Sequence, residues 1–405
     1  MIVVQNATDW NGNRRTLEIP SYEERLIDAS GLTLLPGLID PHVHFRTPGL
    51  EHKEDWRTGA KAAISGGITT VFDMPNTIPP CITLDRLKEK KQLIKNQLQE
   101  CSIPLHFGLY LGADKFHLDE IAQCKDQIVG VKVFMGSSTG DLVMDDDESL
   151  HSLFEICAME DVLLAVHAED EALLRQRKAL FSGPQHPRTH SKLRSPEIAL
   201  RATEKALELS RRYKTRLYLL HIGTKEEVSA IRKAKQEHIT VFAETAPHYL
   251  FLNESYYETL GTKAQVNPPL RQAEDNEALW GALNDGTIDT IGSDHAPHTL
   301  TEKEQPYGTA PSGIPGVETT LPLFLNAFWQ KKISLAQIVR LMRDNINTIF
   351  RRKENQDWVL VDLRKIKTVH NQSLHTKCHW SPYSGETLTG WPIYTILGST
   401  LYVID

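Results

Sequence analysis

Eight stretches of the chain bunch or alternate their apolar residues in the manner of strands, and amphipathic helical patterns lie between them. The strand-like stretches are residues 34–46, 68–73, 105–110, 129–134, 162–167, 217–221, 239–244 and 288–294. Among the helical patterns are 54–65, stopped by Gly66-Gly67, and 196–211, opened by Pro196. Eight strand–helix alternations over roughly 300 residues predict a (β/α)8, TIM-like barrel. An open doubly wound sheet fits less well, because no GxGxxG follows the first strand. The two ends of the chain are β-rich without helices. Ile2-Val3-Val4, the Asn11-Gly12-Asn13 turn and Gly31 mark short strands at the start, and 358–363, 390–398 and 401–403 read as strands near the end. A segment as short as the first 35 residues cannot fold alone. The pattern therefore predicts a small β-sandwich domain formed by both termini (1–35 and 352–405) and a barrel over 36–351.

Composition narrows the partners. The chain has 405 residues, 40% of them hydrophobic and 24% charged, with a net charge of −7, which argues against nucleic acid or an anionic membrane as the main partner. No apolar run reaches the length of a membrane span, and the opening Met1–Asn6 turns polar at once, unlike a secretory signal. Five scattered cysteines (Cys81, Cys101, Cys124, Cys157, Cys378), odd in number and without a CxxC pair, read as reduced thiols and predict a cytoplasmic protein.

Candidate chemistry gathers at the strand ends. In a (β/α)8 barrel the functional side chains lie at the C-terminal ends of the strands. Those ends carry His42, His44 and Arg46 after the first strand, Asn76 after the second, Lys132 in the fourth, His167 and His221 in the fifth and sixth, and Asp294 in the eighth. Alternation along a strand would send His42, His44 and Arg46 to one face. Two imidazoles there can hold a metal ion, and a neighbouring arginine can hold an anion. Taken singly, each histidine also reads as a core or capping residue. Four of them with an aspartate at one mouth are hard to explain without a metal. Lys132, flanked by Val131 and Val133, has two readings. It snorkels outward from an edge strand, or burial deprotonates it and the free amine takes up carbon dioxide as a carbamate that bridges two cations. Asp294 is either a loop cap or a metal-bound carboxylate that shuttles a proton, and His298 either reaches substrate or supports a residue that does.

Seven motifs keep a fixed order: DPHVHFRTPG (40–49), GGITTVFDMPNT (66–77), GVKVFMGSSTG (130–140), AVHAED (165–170), LLHIGT (219–224), VNPPLR (266–271) and SDHAPH (293–298). Together they resemble the dihydroorotases of the cyclic amidohydrolase superfamily, over about residues 36–350. The resemblance implies a binuclear zinc site held by His42, His44, His167, His221 and Asp294 and bridged by carboxylated Lys132. It also implies substrate contacts from Arg46, Asn76, Asn267 and His298. Ser312-Gly313 depart from the Phe-Gly of many relatives, so Ser312 carries no expectation. The implied reaction is the reversible hydrolysis of dihydroorotate to N-carbamoyl-L-aspartate in pyrimidine biosynthesis, with a metal-activated bridging hydroxide as nucleophile and Asp294 as proton carrier. A homodimer, and association with aspartate transcarbamoylase, are further implications. Residues 299–316, rich in Gly and Pro, are expected to cover the mouth. Allantoinase or dihydropyrimidinase chemistry is the near alternative, since Ala246–Leu250 resembles those enzymes as well. Arg46 with Asn76 and His298 separates them, as a set suited to a free carboxylate. A non-catalytic scaffold is the alternative of a different class, and such relatives typically lose metal ligands that this chain retains.

Overall fold

A computed structural model describes residues 1–137, 142–183 and 186–404. The last three residues of the fourth-strand motif, Ser138-Thr139-Gly140, lie outside the described residues. The chain opens with β1 (Ile2–Asp9), β2 (Arg14–Ile19), β3 (Arg25–Asp28) and β4 (Thr33–Pro36). It then enters eight strands: β5 (Leu38–Val43), β6 (Ile68–Asp73), β7 (His106–Gly112), β8 (Gly130–Phe134), β9 (Leu164–His167), β10 (Leu217–Leu219), β11 (Val241–Thr245) and β12 (Thr290–Ile291). Three strands end the chain, β13 (Trp358–Thr368), β14 (Thr387–Leu397) and β15 (Thr400–Val403).

β5 to β12 pair in sequence order, each parallel to the next, with helices between them: the TIM-like barrel. β12 is only two residues long, and the ring closes beyond it, where the His44 amide donates to the His295 carbonyl at 2.8 Å. The Ser293 amide adds a bond to Asp40 Oδ1 at 3.0 Å. Side-chain alternation sorts two cores. Val71, Val131, Val133, Leu217 and Leu219 face the helices, whereas Ile39, Phe72, Tyr110, Ala165 and Tyr218 fill the barrel. Ile346, Ile349 and Phe350 plug its floor, with the Phe350 ring 4.8 Å from that of Phe72. Lys132, between Val131 and Val133 on β8, therefore points inward and is 1% exposed, so it does not snorkel.

The helix expected over 54–65 runs from Trp56 to Ser65, because the Asp55 side chain accepts from the amides of Arg57 and Thr58 and caps it. The pattern opened by Pro196 extends to Tyr213, where Lys214 turns left-handed. The terminal strands form one mixed seven-stranded sheet in which β4 pairs antiparallel with β13, joining the two ends of the chain. Ile2, Val4, Leu34, Leu360 and Ile396 share its core. Gly37 carries the chain from this sheet into the barrel. A Cβ there would come within 2.6 Å of Thr69 and Asp357 side-chain atoms, so only glycine fits the crossing. All five cysteines are free, and among the described residues no helix is long and apolar enough to cross a membrane.

Candidate active site

At the C-terminal mouth one pocket is lined by His42, His44, Arg46, Asn76, Lys132, Phe134, His167, His221, Asn267, Asp294 and Ser312. Strand alternation accounts for only part of this. β5 stops at Val43, and Arg46 reaches the pocket through a left-handed turn (φ 63°), so the expected single-strand face for His42, His44 and Arg46 gives way to a strand followed by a bend. His221 (φ 40°) and Asp294 (φ 48°) leave their strands in the same strained region, which turns their side chains over the mouth.

Two side-chain clusters share the pocket. Asp294 Oδ1 lies 3.2 Å from His42 Nε2 and 3.3 Å from His44 Nε2, and one ligand atom from each of the three falls within 4.8 Å of the others. In the second, His167 Nδ1 and His221 Nε2 stand 3.0 Å apart. The far sides of these rings are held. His42 Nδ1 meets Glu244 Oε1 at 2.7 Å, and Glu244 in turn accepts from Tyr218 Oη at 2.8 Å. His167 Nε2 meets Glu169 Oε2 at 2.9 Å, and Arg194 pairs with that carboxylate. A carboxylate behind an imidazole fixes the ring and leaves the opposite nitrogen to act as a ligand. His44 Nδ1 lies 2.8 Å from Asn76 Oδ1, and His221 Nδ1 is buried without a partner among the described residues.

Burial sets the charges. It holds His44 down to about 3 and His221 well below the usual imidazole range, and lowers His167 as well. Burial likewise brings Lys132 down to about 7. Burial pushes Asp294 up, but the charge of His42 and the hydrogen bond from His44 outweigh it and hold the carboxylate far below its usual range. The His44, His167 and His221 imidazoles that burial keeps neutral, an ionised carboxylate and an amine that gives up its proton near pH 7 form a donor set that fits divalent cations.

Arg46 is 2% exposed, and burial lowers its guanidinium to about 10. Its Nε donates to the Pro297 carbonyl at 3.1 Å, and among the described residues no carboxylate lies within ion-pair distance. His298 stands behind the pocket wall, its Nε2 3.2 Å from Arg46 Nη2. Asn267 is held through its Oδ1 by His190 Nε2 at 2.8 Å. From the segment expected to cover the mouth, Ser312 and Gly313 reach the pocket wall. Sequence reading missed Glu244, Glu169, His190 and Lys53. Glu244 left a signal, an acid ending the apolar run Val241–Thr245 as Lys132 interrupts β8. Lys53 left none.

Residues 33–345 match the model of the amidohydrolase family. A dihydroorotase of Methanosarcina acetivorans is 36% identical over 403 residues, covering 95% of this chain and 85% of the relative. One from Bacillus subtilis is 33% identical over 398 residues, covering 93% and 89%. Among solved structures, L-hydantoinase (dihydropyrimidinase) from Arthrobacter aurescens is similar with a TM-score of 0.91 at 29% identity, covering 100% of this chain and 96% of its own.

Proposed function

The chain belongs to the amidohydrolase family, and on that premise we infer that it is a dihydroorotase: it opens the ring of (S)-dihydroorotate reversibly to N-carbamoyl-L-aspartate, in pyrimidine biosynthesis. The observation that carries the reading is the buried Arg46 guanidinium without a carboxylate partner among the described residues, set beside the imidazole–carboxylate cluster. A buried cation of this kind is costly unless an anion completes it, and a substrate carboxylate does so with charge-assisted bonds. Dihydrouracil and hydantoin rings without a carboxylate leave that cost unmet, which sets this site apart from the hydantoinase that it resembles in fold.

In this reading His42, His44, His167, His221, Asp294 and carboxylated Lys132 would hold two zinc ions. Bound there, the ions would supply Lewis acidity toward the ring carbonyl and toward water. The protein's own groups do the rest. Arg46, Asn76, Asn267 and His298 orient the ring by its carboxylate and amide edges. Asp294 takes the proton of the attacking water and returns it to the departing ring nitrogen, so the proton never leaves the pocket. Glu244 and Glu169 keep His42 and His167 in one tautomer throughout. The division into a barrel (36–351) and a terminal domain (1–35 with 352–405), a cytoplasmic location, a homodimer and contact with aspartate transcarbamoylase complete the reading. The division is supported by the change of sheet at Gly37.

Purified protein given dihydroorotate, allantoin and dihydrouracil in parallel tests it. Turnover of dihydroorotate alone is expected. Turnover of either neutral ring in preference would make the protein a cyclic amidase of the hydantoinase kind. Turnover of none, with no zinc bound, would make it a scaffold.

A further inference from the structure

His298 is fully buried, and its two ring nitrogens meet conflicting neighbours. Nδ1 lies 3.1 Å from Lys53 Nζ, while Nε2 lies 3.1 Å from the Ser312 carbonyl oxygen and 3.2 Å from Arg46 Nη2. An ammonium has only hydrogens to offer, so Lys53 forces Nδ1 to accept. A neutral imidazole then carries its proton on Nε2, which suits the Ser312 carbonyl and rules out donation from Arg46 to the same nitrogen. Burial, with Arg46 and Lys53 close by, drives His298 well below the usual imidazole range, so the ring does not resolve the conflict by taking a second proton. The one Nε2–H of His298 is thus taken up by the Ser312 carbonyl, and Arg46 Nη2, meeting no lone pair on that ring, keeps its hydrogens for an anion in the pocket that Arg46 lines. Lys53 itself is fixed. Its Nζ pairs with Glu302 Oε1 at 3.0 Å, and Glu302 closes the capping box of the short helix Leu300–Lys303 through Thr299.

We propose that Lys53, anchored by Glu302, is a positioning residue that locks His298 as its Nε2–H tautomer and so keeps the Arg46 guanidinium free to donate to the substrate's carboxylate. Lys53 touches no substrate in this arrangement and acts through the imidazole. For its ligand the inference rests on the dihydroorotase reading. For its geometry it does not.

Two measurements on the full-length zinc-loaded protein test it. Nitrogen-15 NMR of histidine-labelled wild type, with the His298 signals assigned by His298→Gln, is expected to show Nε2 protonated and Nδ1 bare in the absence of substrate. Protonated Nδ1 would overturn the proposal whatever the substrate proves to be. In kinetics with dihydroorotate, Lys53→Met is expected to raise KM by about tenfold or more, as expected for one lost charge-assisted contact, with kcat within about threefold. Lys53→Arg, which also only donates, should restore KM to within about threefold of wild type, and Lys53→Met added to His298→Gln should change nothing further. An unchanged KM in Lys53→Met, or kcat falling in step with stability and no rescue by arginine, would overturn it. A wild type inert toward dihydroorotate would defeat the functional reading instead, leaving the NMR result to judge the tautomer.

Discussion

Truncating Arg46 to alanine leaves a substrate carboxylate facing a pocket with one donor fewer and no cation, a loss of on the order of 2–5 kcal/mol for a buried charge-assisted contact. Arg46→Ala should therefore raise KM for dihydroorotate by at least about thirtyfold while changing kcat far less. Asp294→Ala should abolish turnover, because the carboxylate serves both as a ligand and as the proton carrier. Equally mild effects from the two would contradict these assignments. Lys132 adds a prediction that needs no substrate: Lys132→Met, close to it in volume, should lose bound zinc on metal analysis, and full zinc content would remove its role as a ligand. The histidines, Lys132 and Asp294 were legible in the sequence because each sits on or just past a barrel strand that the apolar pattern marks, whereas Asn267, far beyond the end of β11, came only from the resemblance. Their supports were not. Glu244 lies 202 positions from His42 and Lys53 lies 245 from His298, distances at which a single sequence carries no pairing signal.

Strands and helices followed the pattern where burial and regular hydrogen bonding coincide. The expected strand over 68–73 matches β6 at both ends, and the helix stopped by Gly66-Gly67 ends at Ser65. The eighth barrel strand did not: 288–294 reads as strand, yet β12 spans only Thr290–Ile291. On either side of it Asp289 and Gly292 still donate to the Ala243 and Thr245 carbonyls of β11, but Ser293 turns to the Asp40 side chain, so the run is mostly buried while regular pairing covers two residues; an apolar pattern reports burial, not the extent of a ladder. The first barrel strand shows a related slip, since the stretch 34–46 is cut in two at Gly37 and its strand stops at Val43. That junction makes a prediction at this scale. Gly37→Ala forces a methyl against Thr69 and Asp357 and should destabilise the protein by about 1–3 kcal/mol, read as a lower denaturant midpoint. A midpoint equal to that of wild type would mean that the crossing has slack.

At the scale of the molecule the terminal sheet and the barrel meet near the site. The segment after β13 reaches back to the mouth, where Trp380 Nε1 donates to the His298 carbonyl at 2.7 Å and Thr376 bonds Glu54, the carboxylate beside His295. Trp380→Phe keeps an aromatic ring while deleting that bond and part of the buried indole. It should raise KM by about two- to tenfold, as for one net hydrogen bond, with the fold intact by circular dichroism. No change in KM would uncouple the terminal segment from the pocket. Cations bound only by the folded mouth stabilise the whole chain by mass action. Dialysis against a chelator should lower the melting temperature and added zinc should restore it. A melting temperature indifferent to both would argue against a resident cation.

The seam that closes the barrel, His44 to His295 and Asp40 to Ser293, is stitched by the same two loops that carry His44 and Asp294. Residues 253 positions apart must meet before either the ring or the pocket exists. The His42–His44–Asp294 cluster therefore cannot form before Asp294 has been made, and it arrives with the closing of the ring, when the first barrel strand finds the last.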